Sequence, residues 1–584
     1  MMGIKRAAAR LPFLFGLILF CSLATRAFAQ ADSEPATGFS PKQAVAAKRF
    51  MLVAAHPLAV EAGYNVLKSG GAAIDAAIAT QMVLNLVEPQ SSGIGGGAFV
   101  LHYSAADARL AAYDGRETAP AAARGDRFIG ADRQPLGFLD AVVGGRSVGA
   151  PGILRALELA HATHGKLPWP QLFEPAIRLA AEGFPLSPRL HGLLARVRLP
   201  GRDQAMRSLY YQSDDTPKPA GTQLKNPDLA ATLRQIAKQG ADAFYRGEIG
   251  RDIANKVRLA PNPGDLSAGD IAGYQAKQRE PVCGPFRQWK ICGMPPPSSG
   301  GIAVLQALGM LEQLAPAGLT SDPVRAAHLI VEAERLAYAD RDRHVADADF
   351  VPVPVAGLID PSYIADRAAK IRDDRSMGPA PPGAPRGAQI GQFADDAAPE
   401  FDSTSHMSIV DAAGNAIAMT ASIEFAFGSQ QMTRGFLLNN QLTDFSFVPH
   451  RDGKPVANRI EPGKRPRSSM APTMVFDASG RLVMLLGSAG GSAIINHVIK
   501  TLVATLDWNM DIQAAISLPN FGSRNGPTEL ELGTPAATWE KSLEALGHEV
   551  RAIEMTSGLH GIQRTRDGWL GGADPRREGK AMGD

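Results

Sequence analysis

Residues 403–411, STSHMSIVD, mark the border between two kinds of sequence. The preceding run, 376–402, is rich in Pro, Gly, Ala and Asp and offers little apolar surface for a core. After Thr404 polar and apolar residues alternate, a pattern typical of a β-strand. We therefore predict that the chain is cut between Ser403 and Thr404, so that Thr404 becomes a new N-terminus and a nucleophile.

An N-terminal threonine carries its own base. A serine or threonine hydroxyl reacts poorly unless a base lies beside it. The α-amine of an N-terminal residue has a pKa of about 7.7–8 in model compounds, so it can accept the hydroxyl proton near neutral pH. Neither a G-x-S-x-G elbow between a strand and a helix nor a pair of catalytic carboxylates stands out elsewhere in the sequence.

This chemistry also requires an oxyanion hole. Residues 487–491, GSAGG, lie between a predicted strand, 482–486, and a predicted helix that begins at Ser492. Backbone N–H groups at such a turn point outward, at the positive end of the helix dipole. The same residues are also compatible with an ordinary turn.

Composition and the N-terminus restrict the class of protein and its location. The chain has 584 residues, is 45% hydrophobic and has a formal net charge of +2, so nothing indicates a nucleic-acid partner. Residues 1–29 have the pattern of a signal peptide, with positive residues, a short apolar stretch and an A-x-A motif. Cleavage after Ala29 would give a periplasmic or secreted protein without a stable membrane anchor. An uncleaved anchor is the alternative.

Two cysteines remain after that cleavage. Cys283 and Cys292 flank residues 284–291, which predict a hairpin with the cysteines directly opposite each other. Export favours a disulfide, and two free buried thiols are the alternative. No metal site is predicted, because these thiols lack a nearby histidine cluster and because His161 and His164 lack acidic or cysteine partners.

Apolar spacing predicts mostly helices before Thr404, and strands mixed with helices after it, beginning with a hairpin over 406–411 and 416–423. The run 88–97, EPQSSGIGGG, looks like a dinucleotide-binding loop on paper. It precedes a predicted strand, 98–103, instead of following a strand and opening a helix, so we reject that function and predict no cofactor. A turn that brings backbone close to other backbone is expected instead.

Eight ordered segments resemble the gamma-glutamyltransferase (glutathione hydrolase) family of N-terminal-nucleophile hydrolases. The resemblance extends from about Met51 to Lys580. The segments are GGAAIDAAIA (70–79), PQSSGIGGGAF (89–99), MPPPSSGG (294–301), TSHMSIVD (404–411), LLNNQLTDFS (437–446), KRPRSSMAPT (464–473), GSAGGS (487–492) and GADPRREGKA (572–581).

The resemblance implies an α+β fold, a four-layer αββα sandwich built from both products of a self-cleaving precursor. The large subunit would be 30–403, with a flexible linker over 376–403, and the small catalytic subunit would be 404–584. The two would remain together as a heterodimer.

The resemblance also implies the reaction. Thr404 would attack the γ-amide carbonyl of glutathione or a related compound and form a γ-glutamyl ester. Water or an amino-acid or peptide acceptor would then take the γ-glutamyl group. Ser422 would support the nucleophile, and Gly490 and Gly491 would form the oxyanion hole.

Five further residues match the family's substrate-binding positions. Arg116 would clamp the α-carboxylate of the glutamyl group, because a guanidinium offers a planar fork to a carboxylate. Ser468 and Ser469 would bind the same carboxylate. Asp444 and Gln441 would bind the α-ammonium.

Three features depart from the family pattern. Glu424 stands where an asparagine is usual, and it would either accept a bond from the α-ammonium or change the tolerated substrates, as in the family's cephalosporin-acylase-like members. Residues 445–464 form a connection that looks shorter than the lid of some relatives and lacks tyrosine, which implies a more open site. Arg467 replaces a small apolar residue without a sequence-level explanation.

The leading hypothesis is thus a γ-glutamyl hydrolase and transferase. A cephalosporin or glutaryl acylase, or a poly-γ-glutamate hydrolase, with the same nucleophile is the alternative. Arg116 and Asp444 favour a substrate with an α-amino-acid end, since a glutaryl group has no ammonium. A third hypothesis, an inactive binding homologue, conflicts with the intact Thr404 and the glycine pair.

Overall fold

The computed structural model describes residues 36–196, 203–398, 400–401 and 403–584. The predicted signal peptide, 1–29, lies outside these residues. Within the described ranges, no helix combines the length and the apolar character needed to cross a membrane.

The strand after Thr404 is the third strand of a seven-stranded sheet, called here the first sheet. Its residues, Ser405–Val410, pair antiparallel with Ala416–Ser422 on one side and with Met51–Ala54 on the other, so the predicted hairpin is confirmed. The strands of this sheet come both from the part of the chain before Thr404 and from the part after it, so neither part forms the sheet alone. Across the sheet the strands are Lys580–Gly583, Met51–Ala54, Ser405–Val410, Ala416–Ser422, Gly97–Ser104, Arg109–Gly115 and Lys277–Arg279.

A second seven-stranded antiparallel sheet packs on the first. Its hairpin of Val282–Phe286 and Trp289–Gly293 sets Cys283 opposite Cys292, and the two cysteines form a disulfide. The structure therefore has the predicted disulfide and not two free buried thiols. Across the sheet the strands are Val45–Ala47, Trp569–Ala573, His560–Arg564, Leu482–Gly487, Thr473–Phe476, Trp289–Gly293 and Val282–Phe286.

Side chains of the first sheet alternate between two hydrophobic cores, as strand geometry requires. In the strand beside Ser405–Val410, Leu52 and Ala54 face helices, whereas Met51 and Val53 face the second sheet. Helices cover the outer side of each sheet. The α+β sandwich predicted from the family resemblance is confirmed.

Helices on the outer side of the first sheet come from the part of the chain before Thr404, whereas both parts contribute helices to the second. The first group is Pro57–Lys68, Ala73–Val87, Ile153–His164, Glu174–Glu182, Pro188–Arg196, Gln204–Tyr210, Pro227–Gln239, Asp242–Tyr245, Glu248–Leu259 and Ala268–Ala272. The second group is Gly300–Leu314, Pro323–His344, Val355–Leu358, Pro361–Ala368, Ile494–Leu506, Ile512–Ser517 and Glu540–Ala545.

Smaller elements complete the fold. The helix Phe138–Val142 packs near the candidate site. Short strands form a three-stranded sheet of Phe521–Gly522, Thr528–Glu531 and Val550–Ile553, and two-stranded sheets of Phe184–Pro185 with Gln223–Leu224, Met432–Thr433 with Phe436–Leu437, and His450–Arg451 with Lys454–Pro455. The 3₁₀ turns are Gly145–Ser147, Trp169–Phe173, Gln441–Asp444, Gly491–Ala493 and Pro535–Trp539.

The run before Thr404 is irregular but anchored. Residues 376–398 contain no helix and only an isolated bridge from Ala394 to Val456. Polar contacts hold the run: Ser376 Oγ donates to a Glu332 oxygen at 2.7 Å, and Arg343 pairs with Asp395 at 2.5 Å. In the uncut chain, charge and hydrogen bonds therefore anchor a segment with little apolar surface of its own.

Candidate active site

Thr404 lies in a pocket at the start of the strand Ser405–Val410. Every predicted catalytic and substrate-binding residue except Gly490 lines this pocket. The lining residues are Arg116, Glu400, Phe401, Thr404, Ser422, Glu424, Gln441, Asp444, Ser468, Ser469, Met470, Gly491 and Ile494. The fold thus brings together residues that are more than 370 positions apart in the chain, since Arg116 precedes Ile494 in the same lining.

The hydroxyl of Thr404 faces the peptide bond that precedes it. Its Oγ1 lies 2.6 Å from the carbonyl oxygen of Ser403 and 3.3 Å from Ser422 Oγ. Ser422 Oγ donates to the same carbonyl oxygen at 2.8 Å. The hairpin register sets this arrangement, because pairing of Ser405 with Ala421 leaves Ser422 beside Thr404. Ser422 therefore polarises the carbonyl next to the candidate nucleophile.

The glycine run 88–97 packs directly behind this bond. A Cβ added to Gly96 would lie 2.2 Å from the carbonyl oxygen of Ser422, which only glycine avoids. The carbonyl oxygen of Gln90 accepts a hydrogen bond of 2.6 Å from Ser403 Oγ. The predicted close approach of backbone to backbone is confirmed, and the run holds Ser403 and Ser422 in position.

The glycine pair 490–491 forms the turn between the strand Leu482–Gly487 and the helix Ile494–Leu506. Gly490 has φ +130° and Gly491 has φ +50°, backbone conformations that favour glycine. An added Cβ at Gly490 would also lie 2.7 Å from the ring of His497. Gly491 lines the pocket, whereas Gly490 is not among its lining residues.

Arg116 is buried, and its guanidinium already has partners. Its Nη2 pairs with Asp444 and donates to the carbonyl oxygen of Arg467 at 2.8 Å. Its Nε donates to the carbonyl oxygen of Pro466 at 3.2 Å. In the uncut chain, Arg116 therefore fixes Asp444 and the loop before Ser468 and does not present a free fork to a carboxylate.

Glu424, Gln441 and Asp444, here called the acidic site, offer acceptors to the pocket. Burial raises the pKa of Asp444 to about 6, although Arg116 opposes the shift. Burial and the charge of Asp444 raise the pKa of Glu424 well above its ordinary value. Among the described residues, Glu424 Oε1 and Gln441 Oε1 accept no hydrogen bond. The acidic site therefore keeps two buried acceptor oxygens without a donor, although Arg116 pairs with Asp444.

Local structure holds Glu424 toward the pocket. Its φ of +78° is uncommon for a residue with a side chain. Its backbone N–H donates to Ser422 Oγ at 2.8 Å, which couples it to the candidate nucleophile's neighbour. Asn440 Nδ2 donates to Glu424 Oε2. Sequence reasoning missed Asn440, which stands in the matching segment 437–446 and carried no separate signal.

A second charged region, here called the arginine site, lies beside the pocket and consists of Arg341, Arg467 and Ser469. Of these residues, Ser469 lines the pocket. Ser469 Oγ donates to Glu400 Oε2 at 2.6 Å, and Arg341 pairs with Glu400. Arg467 Nη2 lies 3.4 Å from Glu400 Oε1. Although burial opposes the change, the two arginine charges lower the pKa of Glu400 to about 2.

This second region explains Arg467 and adds two residues that the sequence did not indicate. Arg467 Nη2 pairs with Asp396 at 3.0 Å as well as with Glu400, so it anchors the segment before the predicted cut. Arg341 stands among other charged residues near the end of its helix, and Glu400 stands in an acidic stretch. Charged neighbours of this kind in the sequence do not show whether Arg341 and Glu400 are buried or exposed to solvent.

The connection 445–464 stays clear of the pocket. All of it is described, and none of its residues is among the lining. Its hairpin of His450–Arg451 and Lys454–Pro455 is largely exposed. Asn458 Nδ2 donates to the backbone carbonyl oxygen of Asp444 at 2.8 Å, which ties the connection to the acidic site.

One group of described residues has the side chains of a metal site: His328, Glu332 and His548. These side chains already bond one another or their neighbours. His328 Nδ1 lies 2.7 Å from His548 Nε2, and Thr528 Oγ1 lies 2.8 Å from His548 Nδ1. Arg335 donates to Glu332 at 3.0 Å, so a buried positive charge already fills the role of a cation there.

Comparisons with known proteins agree with this geometry. The family model described as gamma-glutamyltranspeptidase matches residues 59–584. A glutathione hydrolase proenzyme of Bacillus subtilis (strain 168) is 34% identical over 95% of this chain and 95% of its own length. The acylase ACY 1 proenzyme of Pseudomonas sp. (strain SE83) is 35% identical over 91% of this chain and 93% of its own.

A solved structure extends the similarity to three dimensions. The cephalosporin acylase from Bacillus halodurans superposes with a TM-score of 0.81 at 26% identity, over 93% of this chain and 97% of that protein.

Proposed function

The chain belongs to the gamma-glutamyltranspeptidase family, and we propose that Thr404 is the nucleophile both of its self-cleavage and of its reaction with substrate. The protein is an enzyme, a γ-glutamyl hydrolase and transferase. The observation that carries the proposal is the position of Thr404 Oγ1, 2.6 Å from the carbonyl oxygen of Ser403 in a buried pocket.

Self-cleavage would start with attack of Thr404 Oγ1 on the carbonyl carbon of Ser403. The Oγ1–C bond forms, the C–N bond to Thr404 breaks, and the hydroxyl proton ends on the departing amine, giving an ester. Water then hydrolyses the ester, leaving a carboxylate on Ser403 and restoring the hydroxyl of Thr404. Ser422 Oγ supports the first step, because it donates to the carbonyl oxygen on which negative charge develops.

The same hydroxyl would then attack the γ-amide carbonyl of the substrate. The freed α-amine of Thr404 takes the hydroxyl proton and delivers it to the leaving amine, while the backbone at Gly490 and Gly491 stabilises the oxyanion. Water or an acceptor amine releases the γ-glutamyl group. The mature enzyme would be a heterodimer of 30–403 and 404–584, exported by the N-terminal signal peptide.

Glutathione and related γ-glutamyl amides fit the pocket through their α-ammonium. The unpartnered oxygens Glu424 Oε1 and Gln441 Oε1 are buried acceptors beside Asp444, and an ammonium supplies three N–H groups and one positive charge. The acylase relatives and Glu424 favour a second candidate, a glutaryl or cephalosporin side chain. That substrate would leave the acidic site without its cation.

Replacement of the nucleophile tests the proposal. Thr404→Ala removes the attacking oxygen, so the purified protein should run as one full-length band and hydrolyse no γ-glutamyl anilide. The wild type should run as two bands, and the N-terminal residue of the smaller one, read by mass spectrometry, should be Thr404. Cleavage of the Ala variant at the same bond would exclude self-processing by this residue.

A further inference from the structure

We propose that His497 is a positioning residue of the oxyanion hole, whose ring fixes the peptide bond between Ala489 and Gly490. With that peptide fixed, the N–H of Gly490 is aimed at the reacting carbonyl of the substrate. The inference rests on the proposed reaction at Thr404 and deepens it, because the family resemblance assigns no role to His497. The residue stands on the helix Ile494–Leu506, which follows the glycine pair.

The glycine pair has two backbone N–H groups without a protein partner. Among the described residues, neither Gly490 nor Gly491 donates its N–H to a hydrogen bond. Gly490 is buried, and buried backbone N–H groups almost always have an acceptor. Two such groups without one, in a turn at the edge of the pocket, are therefore available to an oxygen of the substrate.

Two fixed carbonyl groups decide where these N–H groups point. In a trans peptide the carbonyl oxygen and the following N–H point in opposite directions. The carbonyl oxygen of Ala489 lies 3.2 Å from His497 Nδ1, and that of Gly490 accepts from the N–H of Ala493 at 2.9 Å. Both oxygens thus face the helix that follows the turn. The N–H groups of Gly490 and Gly491 face away from it, and Gly491 lines the pocket.

The neighbours of His497 decide which of its nitrogens carries the proton. Burial and the charge of Lys500 lower the pKa of His497 to about 3, so its imidazole is neutral and has one N–H. The carbonyl oxygen of Ala489 can only accept, so Nδ1 is the nitrogen that donates. The other nitrogen, Nε2, is buried and has no hydrogen-bond partner among the described residues. The polar contacts of the ring are therefore directed at the turn.

Packing and a second donor hold the same peptide. His497 is 2% exposed, and a Cβ added to Gly490 would lie 2.7 Å from its Cε1 and 3.0 Å from its Nδ1. Ser488 Oγ also donates to the carbonyl oxygen of Ala489, at 2.6 Å, and accepts from the N–H of Gly558 at 3.3 Å. Two hydrogen bonds to one oxygen therefore oppose a rotation that would turn the N–H of Gly490 away from the oxyanion.

The position of His497 predicts an effect on the transition state and not on substrate binding. An oxyanion hole acts when negative charge develops on the carbonyl oxygen, and its donors must be aimed at that oxygen beforehand. Loss of one donor typically slows turnover by about 10²–10³-fold, so a donor that remains but is poorly aimed should cost less. His497 is not among the residues that line the pocket, so it does not contact the bound substrate.

Steady-state kinetics of three variants test this role. His497→Phe keeps a ring but removes the donor, so kcat for a γ-glutamyl anilide should fall about tenfold to 100-fold, with KM almost unchanged. His497→Asn carries an N–H donor on Cγ, where Nδ1 is attached, and loses only the unpartnered Nε2. It should restore kcat to within about threefold of the wild type. His497→Gln has the same amide one carbon further from the helix and should resemble His497→Phe.

Self-cleavage separates positioning from misfolding. In the uncut chain the carbonyl oxygen of Ser403 accepts from Ser422 Oγ and Thr404 Oγ1, and the glycine pair does not contribute. All three His497 variants should therefore still give two bands on a denaturing gel. Thr505→Val is the matched control, because it removes a buried hydroxyl of the same helix that bonds only to carbonyl oxygens of that helix. Its kcat should equal that of the wild type.

A transition-state analogue gives a readout that does not require turnover. In a glutamate analogue with a boronic acid in place of the γ-carboxyl, the hydroxyl of Thr404 adds to boron and gives a tetrahedral anion. Its Kd, measured by calorimetry, should rise in His497→Phe by about the factor by which kcat falls, whereas the Kd of L-glutamate should stay constant. An unchanged kcat in His497→Phe, or an equal rise of both Kd values, would overturn the inference.

A glutaryl anilide distinguishes failure of this inference from failure of the proposed function. The oxyanion hole contacts the reacting carbonyl, so the ratio of kcat between His497→Phe and His497→Asn should be the same on either anilide. If the wild type cleaves only the glutaryl anilide, the proposed substrate is wrong, and that ratio still decides the role of His497. If the wild type cleaves the γ-glutamyl anilide and all variants match it, the proposed function stands and the role of His497 is refuted.

Discussion

The acidic site and the arginine site adjoin one pocket and have opposite electrostatic states. In the acidic site, burial raises the pKa values of Asp444 and Glu424, and two buried oxygens accept no hydrogen bond among the described residues. In the arginine site, the pKa of Glu400 is lowered to about 2, and that carboxylate is saturated with donors. The acidic site therefore has acceptors without donors, whereas the arginine site already binds the carboxylate of Glu400.

This difference follows from which part of the chain completes each site. The uncut chain supplies an internal anion, Glu400, to Arg341 and Arg467, and among the described residues Arg116 is the cation that pairs with Asp444. In the uncut protein, favourable charge pairing therefore stabilises the arginine site, whereas the acidic site keeps buried acceptors that lack a donor. Perturbed pKa values of this kind are typical of functional sites, where groups that bind a ligand lower the stability of the protein without the ligand.

Asp444→Asn should have the largest effect on kcat/KM of the substitutions in the two sites. Loss of the charge that pairs with the α-ammonium should lower kcat/KM for a γ-glutamyl anilide by about 100-fold or more, on the scale of about 3 kcal/mol for a buried charge pair. A glutaryl anilide has no ammonium and should lose much less. The ratio of the two kcat/KM values in the processed variant is the measurement.

Two controls accompany this variant. Asp373→Asn removes an exposed acid that pairs with Arg325, and it should leave both substrates unaffected. An equal loss on both substrates in Asp444→Asn would mean that Asp444 acts by holding Arg116 in place and does not contact the ammonium.

Glu424→Gln should have an intermediate effect. The substitution keeps the shape and the acceptor for Asn440 but prevents ionisation, which an ammonium would favour by lowering the raised pKa of Glu424. We expect KM for the γ-glutamyl anilide to rise about tenfold, equivalent to about 1.4 kcal/mol. KM for the glutaryl anilide should stay constant. A drop in KM for the γ-glutamyl substrate would contradict a role in ammonium binding.

Glu117→Gln should leave turnover unchanged and alter only the pH dependence of stability. Burial raises the pKa of Glu117 to about 8, against the charge of Arg116, and neither of its carboxylate oxygens accepts a hydrogen bond among the described residues. The folded protein therefore binds a proton that the unfolded chain releases near pH 4.5. Stability contributed by this proton is complete below pH 4.5 and is lost as the pH rises to about 8.

The measurement is the free energy of unfolding of the uncut Thr404→Ala protein, with and without Glu117→Gln, from pH 5 to 9. The Glu117 protein should lose stability relative to its Gln counterpart by about 1 kcal/mol per pH unit up to about pH 8 and no more above it. Parallel pH profiles would show that Glu117 has an ordinary pKa.

The border at Thr404, the hairpin after it and the disulfide hairpin could be predicted from local sequence. Each depends on neighbours along the chain: alternation fixes the strand, and the spacing of Cys283 and Cys292 fixes their pairing across a turn. The apolar run 73–87 by itself predicts a helix, and the structure has one with the same ends, Ala73–Val87. Such elements need no knowledge of distant residues.

Predictions failed where a single glycine or a distant contact intervened. Apolar spacing over 241–257 predicts one helix, but the structure has two, Asp242–Tyr245 and Glu248–Leu259, because the chain turns at Gly247. The apolar run 435–439 predicts a strand, but only Phe436–Leu437 forms one, because Gly435 has φ +83° and packs against the helix Pro227–Gln239. Periodicity does not reveal such interruptions.

The sequence by itself identified the proposed nucleophile, the family pattern and most residues of the pocket, because those residues stand in recognisable local segments. Only the tertiary structure decided which charges meet. It paired Arg116 with Asp444 instead of leaving it free, and it brought Glu400 to Arg341 and Ser469. Coulomb interactions depend on distance and burial, and neither can be read from order along the chain.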